Sequence, residues 1–98
     1  MFNNDSYVYV KNLHEGESDP GSKGCSSWRE YWEKKSKKSF SQCSRKGCSS
    51  DSEDGAHVIL SRGNDRSWYI VPLCKACNNP NNTEEFLVKR NDLVPINR

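Results

Sequence analysis

The apolar residues of this chain fall in short runs separated by long polar stretches, and each run carries its own periodicity. Tyr7-Val-Tyr-Val10 is β-prone and predicts a short edge strand. From Asn12 to Gly24 the chain is polar, acidic and glycine-bearing, with Pro20-Gly21 in it, and reads as a loop. Trp28, Tyr31 and Trp32 then recur at i, i+3 and i+4, the spacing of one helix face. A helix from Trp28 to about Lys38 is expected, capped by Ser26 or Ser27. Its Glu30/Lys34 and Glu33/Lys37 pairs stand in the favourable order. Ala56–Leu60 and Ser67–Val71, joined by the turn-forming Ser61–Asp65, predict a β-hairpin that Pro72 ends. Cys74 to Cys77 opens a short helical turn stopped at Asn79-Pro80, and Phe86–Ile96 supplies one more strand or packed segment. The chain divides into an N-terminal strand and polar loop (1–24), a basic aromatic helix (25–42) and a cysteine-bearing module with a C-terminal segment (43–98), all in one domain.

Composition makes that core look thin. Of 98 residues, 33% are hydrophobic, and the mean hydropathy is −0.99. Ordering the backbone costs roughly 1–2 kcal/mol per residue, so a domain this small and polar needs a disulfide, a metal or a partner as a staple. Five cysteines are available. Their odd number fits disulfide pairing badly. The first seven residues show no basic start followed by an apolar run, and no stretch is long enough to span a membrane. A cytoplasmic, reducing location is therefore expected, where closely spaced cysteine pairs serve as metal ligands.

Cys43-x4-Cys48 and Cys74-x2-Cys77 have the spacing that lets one backbone turn present two sulfurs to a single ion. Gly47 permits the positive φ on which the first turn reverses. One structural Zn²⁺ per chain, held by Cys43, Cys48, Cys74 and Cys77, is the expected cofactor. Cys25 has no short-spaced partner and reads as an ordinary small thiol. His57 is an alternative ligand.

Zinc also changes the charge. The formal net charge is +2, but four thiolates around one Zn²⁺ bring the loaded domain to about zero. The distribution is more telling, because residues 23–48 alone carry a net +6. Lys34, Lys35, Lys37, Lys38, Arg45 and Lys46 are the candidate contacts to phosphates or to an acidic protein surface.

The run from Cys43-x4-Cys48 through Gly55-Ala-His-Val58 to Tyr69-Ile-Val-Pro-Leu-Cys74-x2-Cys77-Asn78-Asn79 resembles the treble-clef zinc fingers of the HNH (ββα-metal) nuclease family. The resemblance covers residues 43–79. It implies a small α+β zinc-binding domain in which a zinc knuckle, a β-hairpin and a short helix form a treble-clef-like module, preceded here by an additional N-terminal helix. It also implies that His57 is the general base and Asn78 a ligand of a catalytic metal. Two positions depart from the family pattern. Ala56 stands where a metal-binding side chain is expected, and Tyr69 stands where an Asn orients the base, with Asn64 nearby in the turn. Asp54, three residues before His57, is the candidate carboxylate to substitute for the missing ligand. The resemblance thus implies a degenerate HNH-like domain.

Three functions follow as expectations. The first is a zinc-stabilised module that recognises a nucleic acid or an acidic protein surface. The second is a metal-dependent nuclease with His57 as base. The third is a structural subunit or inhibitor that acts by protein binding alone. A carboxylate within metal reach of both His57 and Asn78 is the feature that separates the second from the others.

Overall fold

The computed structural model of the chain describes residues 6–13, 24–79 and 81–96. The expected turn at Pro20-Gly21 and the stop at Pro80 lie outside these residues. The elements are β1 (Tyr7–Asn12), α1 (Trp28–Ser36), β2 (Asp54–Leu60), β3 (Trp68–Leu73), β4 (Phe86–Lys89) and β5 (Val94–Pro95), with a 3-10 turn over Arg90–Asp92. All five strands join one antiparallel sheet in the order β4-β1-β2-β3-β5.

β1 corrects the first expectation. It is six residues long and lies inside the sheet, paired with β4 on one side and β2 on the other. Val8 and Val10 pack on the same core as Phe86 and Val88 of β4 and Val58 of β2, and this shared burial draws a short run into the interior of the sheet. The C-terminal segment is likewise two strands instead of one. The Arg90–Asp92 turn carries the chain from β4 at one edge to β5 at the other. Pro72 does not end the hairpin either, since β3 runs on to Leu73 with Pro72 opposite Gly55. Its carbonyl accepts from the Ser44 N–H at 2.9 Å. The nitrogen of a strand residue points to the same side as its carbonyl, so the missing N–H faces away from β2 and no ladder bond is lost.

α1 begins where the hydroxyls predict. The Ser27 Oγ accepts the Glu30 N–H at 3.0 Å, and the Glu30 carboxylate reaches back to the Ser26 N–H at 2.6 Å, a variant of the capping box. The helix closes at Lys37, which adopts φ 62° and donates its N–H to the Glu33 carbonyl. Neither expected i,i+4 pair is a close ion pair among the described residues, although the charge of Lys34 still acts on Glu30. Glu33 pairs with Arg29 at 3.7 Å and accepts the Phe40 N–H at 2.9 Å, while Glu30 is occupied at the cap. The aromatic stripe is core. Tyr31 and Trp32 are each 2% exposed, and their polar atoms are satisfied by the Pro95 and Asp92 carbonyls at 3.1 and 2.7 Å.

The sheet thus has two covered surfaces. On one, Val10, Ala56, Val58, Val71, Leu73, Phe86 and Val88 pack with four cysteines. On the other, α1 covers β2, β3 and β5 through Tyr31, Trp32, Ile70, Val94 and Cys25. The two-helix arrangement expected from the sequence reduces to one. α1 is the single α-helix among the described residues, none is additional to it, and residues 75–78 after Cys74 form a turn. Asn79, Asn82 and their hydrogen bonds close that turn locally, which removes the chain from helical geometry. The molecule is a small α+β domain with a four-cysteine cluster. No helix among the described residues is long and apolar enough to cross a membrane.

Candidate metal centre

Two turns bring the sulfurs together. The first spans 43–48, where Gly47 takes φ 85°, a conformation that L side chains resist and glycine adopts freely. The Cys48 N–H closes it on the Arg45 carbonyl at 3.0 Å. The second is closed by the Asn78 N–H on the Cys74 carbonyl at 3.0 Å. The Sγ atoms of Cys43, Cys48, Cys74 and Cys77 all lie within 4.8 Å of one another. Cys48 Sγ is 3.9 Å from Cys74 Sγ and 4.0 Å from Cys77 Sγ. Zn–S bonds of about 2.3 Å in a tetrahedron separate the sulfurs by about 3.8 Å. The four cysteines are therefore in position to bind one metal ion, and their chemistry and spacing suit zinc.

Electrostatics point the same way. Burial pushes the Cys43 thiol up to about 12, against the opposing pull of backbone hydrogen bonds from Arg45 and Cys74. Burial also raises Cys77. A backbone hydrogen bond from Ser50 draws Cys48, the half-buried member, down to about 7. Four sulfurs this close cannot all ionise without a cation among them, and a divalent ion supplies it. Every donor is a protein side chain, which is the closed arrangement of a structural site.

Supporting contacts that sequence spacing did not reveal hold this centre on the sheet. The Arg45 guanidinium donates to Cys77 Sγ at 3.9 Å and lies over the Phe86 ring at 4.9 Å. The side-chain amides of Asn12 and Asn82 both donate to the Cys77 carbonyl at 2.9 Å. The Lys46 N–H donates to the Leu87 carbonyl at 2.8 Å, which ties the first turn to β4. Only the basic character of Arg45 was a usable signal. Asn12 is 65 residues from the cysteine it supports.

His57 and Asn78 are placed apart. His57 is 7% exposed, and its ring stands edge-on to Trp28 at 4.8 Å and to Trp68 at 6.5 Å. It is paired with Ile70, on the face that α1 covers. Ala56 and Val58 point to the opposite face, with the sulfurs. Asp54 shares their face by strand alternation. Its carboxylate takes the Asn78 amide at 3.2 Å and Lys75 at 3.0 Å. Among the described residues, the cysteine cluster is the one group of three or more His, Cys, Asp or Glu side chains gathered closely enough to hold a metal.

The basic residues are also divided. Arg45 lies on the sulfur side against Cys77 and Phe86, whereas Lys46, bonded to β4, reaches the Tyr7 ring at 5.2 Å. Lys38 pairs with Asp92 at 2.9 Å and lies 5.6 Å from the Trp32 ring, and Lys35 lies 5.8 Å from the Tyr31 ring. Lys34, Lys35 and Lys37 are exposed on the C-terminal half of α1 and its cap. Comparison with protein-family models, with curated proteins and with solved structures gave no match.

Proposed function

We propose that this chain is a zinc-stapled binding module that engages an anionic partner through the lysines at the end of α1. The observation that carries the reading is the four-sulfur cluster; four protein donors would fill the coordination of a tetrahedral ion and leave no position for a substrate. Such a centre supplies folding energy to a domain whose two cores are small. The order of knuckle, hairpin and cysteine pair supports a treble-clef-like module in which a turn replaces the helix.

A non-catalytic role is favoured by the separation of His57 from Asn78 and Asp54 across β2. A general base contributes about 10²–10⁴-fold, and phosphodiester cleavage requires far more. Charge supports an anionic partner. Lys34, Lys35 and Lys37 are exposed, and Lys35 lines a groove of about 370 Å³ together with Tyr31, Lys38, Leu93 and Pro95.

The test is a titration of the zinc-loaded protein with duplex DNA and with an acidic peptide at rising salt. Replacing Lys34, Lys35 and Lys37 by Ala should lower affinity at least about tenfold at low salt, and for DNA should flatten the salt dependence by about three contacts. Salt-independent binding, or Mg²⁺-dependent cleavage that disappears in His57→Ala, would overturn the reading.

A further inference from the structure

Among the described residues, α1 packs on β2, β3 and β5, at one half of a sheet face, and the other half is built by β1 and β4. Strand register fixes which residues share it, with Tyr7 opposite Lys89, Tyr9 opposite Leu87 and Lys11 opposite Ile59. Val8, Val10, Phe86 and Val88 alternate to the sulfur side, so Tyr7, Tyr9, Lys11, Leu87 and Lys89 point the other way, to the same side as α1. No residue of β1 or β4 belongs to the cluster beneath the helix. Both tyrosines are half-buried, whereas Lys11 and Lys89 are exposed. Each ring carries a cation. Lys46 Nζ lies 5.2 Å from the Tyr7 centroid, and the Arg62 guanidinium lies 3.8 Å from that of Tyr9.

We propose that this half-face is a platform for single-stranded nucleic acid, a surface distinct from the lysines of α1. Side chains two positions apart on a strand stand about 6.7 Å from one another. Bases in a duplex are stacked at about 3.4 Å per strand and turned inward, so they cannot lay two faces on rings spaced this way. A single strand with splayed bases can, and stacking of bases on aromatic rings of an exposed sheet is sequence-tolerant because every base has a π-face. The Arg62 plane extends the stacking surface at Tyr9. Its charge is shared with Glu85, whose carboxylate it holds at 2.7 Å. Lys11, Lys46 and Lys89 then remain for phosphates. Among the described residues this charge excess favours a polyanion, and the paired rings favour nucleobases over carboxylates.

The experiment uses the zinc-loaded full chain, a fluorescent oligothymidylate and a duplex of equal length, read by anisotropy, with melting temperature as a control of folding. The single strand should bind at least tenfold more tightly than the duplex. Tyr7→Val and Tyr9→Val keep β-branched residues in β1 and should each weaken single-strand binding about tenfold, with duplex binding unchanged. Tyr7→Phe and Tyr9→Phe should retain it, because stacking needs the ring and not the hydroxyl. Equal affinity for both nucleic acids overturns the proposal, as does indifference to Tyr→Val, or displacement of the oligonucleotide by polyglutamate at equal charge concentration. Loss of all binding in the Lys34/Lys35/Lys37 variant with no effect of Tyr→Val assigns recognition to α1 alone. The converse pattern keeps the platform and removes the helix reading.

Discussion

Gly55 of β2 lies directly beneath the first turn of α1, so close that a Cβ at this position would stand 2.6 Å from the carbonyl carbon of Trp28. It would also meet the Trp28 carbonyl oxygen at 2.8 Å and the Arg29 nitrogen at 2.9 Å. All three are backbone atoms of a capped helix end, and none can rotate away as a flexible side chain would.

Gly55→Ala should therefore destabilise the fold by about 1–3 kcal/mol, the usual cost of overfilling a packed contact. The helix must lift from the sheet, which also loosens Trp28 on His57. Metal content should not change, because Gly55 faces away from the sulfurs. Urea denaturation followed by tryptophan fluorescence, with zinc analysis of the same sample, separates the two effects.

Elemental analysis of the purified chain should find about one zinc per molecule. Cys43→Ser, Cys48→Ser, Cys74→Ser and Cys77→Ser should lose the metal and the cooperative fold, since binding and folding are coupled in such sites. Cys25 belongs to the cluster under α1, and Cys25→Ser should keep both. A strong chelator should unfold the parent protein. A zinc-free chain with an intact thermal transition would contradict the structural role assigned to the cluster.

Asp92 joins the two sides of the sheet. Its Oδ2 accepts from the Ser44 hydroxyl at 2.9 Å, its Oδ1 takes Lys38 at 2.9 Å, and its carbonyl takes Trp32 Nε1 at 2.7 Å. Ser44 is fully buried and follows the first zinc ligand. Asp92→Ala leaves the Ser44 hydroxyl proton without its acceptor, the oxygen keeping only the Lys89 N–H at 3.3 Å, and should cost about 1–3 kcal/mol, measurable by chemical denaturation at constant zinc. Asp92→Asn keeps an acceptor for Ser44 and should cost less.

The Tyr69–Asp65 pair makes stability depend on alkaline pH. The Tyr69 hydroxyl donates to Asp65 at 2.6 Å, and this bond is the first cause that lifts its pKa above the ordinary 10. The folded value is raised, so the stabilisation is full below pH 10 and is lost as pH rises through the folded pKa. A phenolate absorbance titration of Asp65→Asn should show one tyrosine ionising earlier than in the parent. Superimposable curves would remove this contribution.

Features that depend on neighbours in the chain were legible in the residues themselves. Two cysteine pairs at short spacing, Gly47 at a reversal, a serine before an aromatic i, i+3, i+4 stripe and a turn-forming break between two β-prone runs each describe local geometry. Local geometry is constrained by sterics and by hydrogen bonds spanning a few residues. Tertiary packing decided the rest. Nothing in Tyr7–Asn12 says that it lies between β4 and β2, because strand order is set by which buried faces combine. The same packing placed the aromatic stripe inside, put His57 and Asn78 on opposite sides of β2, and set Lys34, Lys35 and Lys37 of α1 apart from Arg45 at the sulfur centre. It also turned Gly55, unremarkable in the sequence, into the contact on which the helix rests. A one-residue change in the phase of β2 would have reversed the facings of Gly55 and His57, since side chains alternate strictly across a sheet.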